Sequence, residues 1–188
     1  MKRTTPRTTS SLSNLVALLC LAASACSGSP AASASDDCRG FELTVSGSQA
    51  AEVCGVAISA LDPGGENWGI QLFGRKDNSH TTINIWHDLT GRPSPGTYDI
   101  VDLVAADGSP AAADYVVFAV FDEAVLENTL ENFLGNTFTS VTGTVTILSS
   151  SAGEVSGTFE FTAREGLVAG GPAVVTITGS FTAENEGG

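Results

Sequence analysis

The chain predicts an all-β fold: an antiparallel β-sandwich, with a closed up-and-down barrel as the alternative. Three observations predict it. Charged residues make up only 15% of the 188, and Thr, Ser, Gly, Val and Ala take their place, which favours pleated strands over helices. Eight or so short runs alternate apolar and polar residues, each bounded by a turn-forming cluster. The last third repeats one strand pattern three times. Hydrophobic residues, at 42%, suffice for a core, and the length suits one domain over 38–188.

The elements follow in order. In 41–46, FELTVS, Phe41, Leu43 and Val45 alternate with Glu42, Thr44 and Ser46, as in a half-buried strand. In 52–60, Cys54, Val56 and Ile58 share one face. Asp62-Pro63-Gly64-Gly65 is a turn by composition. In 67–75, Trp68, Ile70 and Leu72 fall on one side. Lys76-Asp77-Asn78-Ser79 turns the chain into 80–88, where Ile83, Ile85 and His87 oppose Asn84, Trp86 and Asp88. A loop with two prolines spans 91–96, and strands are predicted over 97–104 and 114–121, separated by the turn Asp107-Gly108-Ser109-Pro110.

At 122–134, DEAVLENTLENFL, the period changes. Leu126, Leu130, Phe133 and Leu134 recur at helical spacing, Asp122 can cap the start and Gly135 the end, so one short amphipathic helix is expected. Strands follow over 137–148, 154–163 and 173–183, in an antiparallel meander. Each carries an interior glycine, a residue that marks bends or bulges.

Net charge is −13. Lys2, Arg3 and Arg7 fall in the leader, and without them five basic face 21 acidic side chains, a net of −16. Such a surface repels polyphosphate, so nucleic acid is excluded as a partner.

Residues 1–25 read as a signal peptide: a basic start, the apolar stretch LSNLVALLCLAA and small residues before Cys26. The apolar stretch is shorter than the roughly 20 residues that span a bilayer as a helix. Ala23-Ser24-Ala25-Cys26 resembles the lipobox of bacterial lipoproteins, although Ala23 stands where Leu, Val or Ile is usual. The resemblance implies that Cys26 is lipidated and becomes the mature N-terminus. The partner would be the membrane, reached through that lipid, and the location the cell envelope, with Ser27 suiting an outer membrane where there is one. Plain secretion, with cleavage after Ala23 or Ala25, is the alternative. Residues 27–36, SGSPAASASD, have the composition of a tether, so 26–37 form the anchor and spacer.

Of four cysteines, Cys20 leaves with the leader and Cys26 takes the lipid. Cys38 and Cys54 remain, and export predicts a disulfide between them. Gly157-Thr158-Phe159-Glu160-Phe161-Thr162-Ala163 and Val175-Thr176-Ile177-Thr178-Gly179-Ser180-Phe181 are similar to the closing strands of small β-rich bacterial lipoproteins. That likeness implies a sandwich or barrel and carries no activity.

No nucleophile elbow, zinc motif, phosphate loop or dinucleotide fingerprint occurs, and no cofactor or metal site is predicted. His80 and His87, seven residues apart on one strand, point to opposite faces and read as rim histidines. Glu66, Asp88, Asp99, Asp102 and Glu160 are acids of the type a glycosidase uses, without a spacing that selects a pair. The turns at Asp62–Asn67 and Asp77-Asn78 lack the calcium-loop spacing. The remaining candidates are Trp86, flanked on its face by Asn84 and Asp88, and Trp68, for stacking on a carbohydrate or a protein. The expectation is therefore a membrane-anchored binding or structural domain without catalysis. A carboxylate-dependent glycoside hydrolase and a barrel carrying an apolar ligand are the alternatives.

Overall fold

A computed structural model describes residues 38–61, 67–76, 79–88, 91–106, 114–122, 137–167 and 171–185. The strands are β1 (Phe41–Gly47), β2 (Ala51–Leu61), β3 (Trp68–Lys76), β4 (Ser79–His87), β5 (Gly96–Ile100), β6 (Val116–Asp122), β7 (Thr137–Ser150), β8 (Glu154–Glu165) and β9 (Val175–Asn185). The expected signal peptide and tether lie outside the described residues. So does the expected helix from residue 123 on, while Asp122 itself ends β6.

The sandwich is replaced by its alternative. One sheet runs β7-β6-β4-β3-β2-β1-β9-β8 and returns to β7, closing eight strands into a barrel. Closure follows from β7, which uses both edges. One pairs along nearly its whole length with β8, and the other is shared end to end by β5 and β6. Two register shifts in β7, at Ser140/Thr142 and Ile147/Ser149, add the bends that curve it. Leu148, at the second shift, is expelled from the ladder and is 63% exposed.

Alternate residues of every barrel strand fill the interior: Phe41, Leu43 and Val45; Val53 and Ala57; Trp68, Ile70 and Leu72; Ile83 and Ile85; Val117 and Ala119; Val145 and Ile147; Phe159 and Phe161; Ile177 and Phe181. The interior glycines have a steric cause. Gly157 lies opposite Phe181, Gly179 opposite Phe159 and Gly143 opposite Phe161. A β-carbon on Gly157 would fall 2.8 Å from Phe181 Cζ, and one on Gly179 would fall 2.7 Å from Phe159 Cζ. Each ring occupies the volume its partner leaves vacant, which fixes the register of β7, β8 and β9. These three strands form the expected meander.

The strand predicted over 97–104 stops at Ile100. Asp102 ends it by accepting hydrogen bonds from the N–H groups of Val104 and Ala105, each at 3.0 Å, which closes a turn over 103–106. On β2 the face of Cys54, Val56 and Ile58 points outward, and Val53, Ala57 and Ser59 point inward. Cys38 and Cys54 form the expected disulfide, with 4.9 Å between Cα atoms. It fastens the start of the domain to β2, a loop closure worth about 3 kcal/mol in the chain-entropy model.

Candidate functional site

Trp68 opens β3 and His87 closes β4, and the two are register partners on the inner face. Their ring centroids lie 5.7 Å apart. His87 also meets Tyr115 edge-on at 4.7 Å, and Tyr115 meets Tyr98 of β5 at 5.5 Å. These four rings, from the start of β3, the end of β4, the middle of β5 and the residue before β6, line one end of the barrel. The Tyr98 hydroxyl donates to the Ser94 carbonyl at 2.7 Å. The fully buried Tyr115 hydroxyl has no hydrogen-bond partner among the described residues.

His87 is not a rim histidine. It is 3% exposed, because closing the barrel turns the inner face of β4 into core up to its last residue. Burial lowers its pKa to about 4, so at neutral pH the imidazole is uncharged. Burial, and then the neighbouring Tyr98, push the Tyr115 phenol well above its ordinary value.

A second polar constellation sits within the wall, at the junction of β5, β6 and β7. The Ser140 hydroxyl donates to the Val101 carbonyl at 2.6 Å and accepts from Val117 N–H at 3.0 Å, and the Ser140 carbonyl accepts from Leu103 N–H at 3.1 Å. One residue at the bulge thereby joins the end of β5 to the start of β6. Beside it, Arg164 of β8 forms an ion pair with Asp102; their side chains are 3% and 23% exposed. Burial acts to raise the Asp102 pKa. The Ala105 N–H, the Arg164 hydrogen bond and charge, and the Val104 N–H outweigh it and hold the carboxyl below its ordinary value.

The residues singled out for stacking are divided by the wall. Trp68 points into the barrel, whereas Trp86, Asn84 and Asp88 lie on the outer side of β4 as expected. Trp86 is nevertheless 6% exposed and neighbours the buried Val116 and Phe118 of β6, so neither indole offers a ring face to solvent. Asn84 and Asp88 are half-buried. His80 and His87 do lie on opposite faces. Among the acids, Asp99 and Glu160 stand exposed on the outer wall, Asp102 is committed to Arg164, and Glu66 lies outside the described residues. Among the described residues no three His, Cys, Asp or Glu side chains group to hold a metal.

The Tyr98–Tyr115–His87–Trp68 cluster and the Ser140 and Arg164 contacts were missed in the sequence. Their residues are scattered over the chain and meet only through barrel closure. Arg164, a lone cation in a run of Thr, Phe and Ala, was the available signal.

Fold and site together define a closed antiparallel β-barrel with an aromatic end and a filled interior. Compared with protein-family models, with curated proteins and with solved structures, the chain matches none.

Proposed function

We propose that this chain is an exported, lipid-anchored protein whose barrel acts through its outer surface as a binding or structural module, without catalysis. The observation that carries this reading is the filling of the interior. A continuous cluster of buried side chains from all eight barrel strands occupies the space an apolar ligand would need, and rings seat directly on glycines. This weighs against a carrier. Against a hydrolase weighs the placement of Asp99 and Glu160 on a convex, exposed wall that shields no substrate from water. The Cys38–Cys54 disulfide fits an oxidising compartment.

The apolar interior and the Thr-rich outer face of β7, β8 and β9 are the reverse of a bilayer-spanning barrel, so the membrane association rests on Cys26 and its lipid. Mass spectrometry of the mature N-terminus tests it. Acylated Cys26 is the expected result; an unmodified terminus at Ser24 or at Cys26 defeats it. Binding of the soluble form to a glycan panel tests the outer-surface role; because Trp86 is buried, Trp86→Ala should leave any binding unchanged, and a loss of binding without a loss of fold would show that its ring reaches the ligand.

A further inference from the structure

We propose that the aromatic end of the barrel is an acid-operated closure: protonation of His87 parts the stack of Trp68, His87 and Tyr115 and opens this end, while the rest of the barrel stays folded.

The imidazole is set where a charge finds no support. From β3 it meets the Trp68 indole and from the residue before β6 the Tyr115 ring, and behind Tyr115 stands Tyr98 of β5. The titratable groups among these rings are two phenols, which are neutral in acid. The carboxylates of the same strands are placed elsewhere. Asp88 follows His87 on the outer side of β4, Asp99 stands exposed on the outer wall, and Asp102 is committed to Arg164. Asp114, next to Tyr115, is half-buried, and neither it nor any other described carboxylate offsets the effect of burial on the imidazole. A proton on His87 therefore sets an uncompensated charge among buried rings.

The cluster sits where few backbone bonds hold the wall together. Trp68 and His87 form the last register pair of β3 and β4. Tyr115 is tied to β5 by one isolated bridge: its N–H donates to the Asp99 carbonyl and its carbonyl accepts from the Val101 N–H, both at 2.8 Å. Deeper in the barrel, the next inward residues of β3, β4 and β6 are Ile70, Ile85 and Val117, which carry nothing that titrates. Acid thus acts on the end and leaves the core beneath it untouched. Tyr115 adds a second bias. Its buried hydroxyl has no hydrogen-bond partner among the described residues, and opening lets it bond to water.

In the closed end His87 takes a proton only near pH 4, whereas an imidazole opened to water regains its ordinary value near 6.5. The open form binds the proton more tightly. Lowering the pH through this window therefore raises the ratio of open to closed by up to about 300-fold. Acid uncovers an aromatic surface that is sealed at neutral pH.

The test starts from Trp86→Phe, which leaves Trp68 as the sole tryptophan. Its emission and its quenching by acrylamide are followed from neutral pH to below 4, with far-UV circular dichroism read on the same samples. The expected result is a red shift and a several-fold rise in quenching while the sheet signal holds. Adding His87→Phe should abolish the change. Adding His80→Gln, at the other histidine, should leave it in place. Adding Tyr115→Phe, which removes the unpartnered hydroxyl, should move it to lower pH. Emission that stays constant, or that shifts only with loss of the sheet signal, overturns the proposal. So does a shift that survives His87→Phe or disappears with His80→Gln. If His87→Phe does not fold, Tyr115→Phe decides: a transition left in place or moved to higher pH overturns the proposal.

Discussion

The two halves of the barrel wall are built differently. Across β7, β8, β9 and β1 the outward residues include Thr142, Thr144, Thr146, Thr158, Glu160, Thr178, Ser180, Glu42 and Thr44, and most are exposed. Here only the inner face contributes burial. Across β4, β6 and the start of β7 the outward residues Trp86, Val116, Phe118, Thr137 and Thr139, with Arg164 of β8 beside them, are buried as deeply as the core. This wall is packed on both sides. In the first half, alternation alone specifies which face is inside. In the second, both faces are apolar and register must be set by particular contacts, such as the Asp102–Arg164 pair and the Ser140 bridge.

The largest expected effect comes from breaking the pair that closes the two-sided half. Asp102→Ala leaves the buried Arg164 guanidinium without its carboxylate and should cost about 3 kcal/mol, the lower end for a buried pair because Asp102 is partly exposed. Urea unfolding measures it; a loss below about 0.5 kcal/mol, the size of an ordinary surface substitution, would show the pair to be incidental. Phe118→Ala should cost a similar amount, about 3 kcal/mol, although the side chain points away from the barrel interior. If Phe118→Ala proves as mild as a surface change, the two halves do not differ.

Acid supplies the next effect. His87 keeps its ordinary affinity for a proton in the unfolded chain, near 6.5, but binds one in the fold only near pH 4. Between those values the unfolded state holds more protons, so stability falls as pH is lowered through the window, by about 3 kcal/mol in all. His87→Phe should flatten the dependence of the unfolding midpoint on pH between 6.5 and 4, whatever it does to stability at neutral pH. An unchanged pH profile would mean that another group carries the acid sensitivity. The smallest effect belongs to the polar half: Thr178→Ala, outward and exposed on β9, should stay within about 0.5 kcal/mol of the unaltered protein by thermal unfolding. A larger loss would mean that this hydroxyl-lined wall is also packed against something.

The same contrast explains what could be read in the sequence. The strands of the polar half were legible nearly to their ends, because Phe159 and Phe161 alternate with Thr158, Glu160 and Thr162 and only one assignment of faces fits. On β2, between those two stretches, period two finds the strand but cannot orient it: Cys54, Val56 and Ile58 look as core-like as Val53 and Ala57, and they face outward. Trp86 likewise sits on the face predicted for it, and the burial of that face was invisible. Sandwich and barrel share their strands and differ in pairing. The pairing of β1 with β9, between residues more than 120 apart in sequence, leaves no local mark. The glycines did leave one: each stands opposite a phenylalanine that a neighbouring strand supplies, and matching the two patterns would have given the register.

Because β5 and β6 share one edge of β7, the chain departs from the wall after Ile100 and rejoins the same lane at Tyr115, where the two residues bridge. The detour starts and finishes at neighbouring points, so its length is nearly free. Doubling a loop of this kind costs only about 0.6 kcal/mol in closure entropy. The eight-strand circuit therefore tolerates a change in the length of the connection between Ile100 and Tyr115.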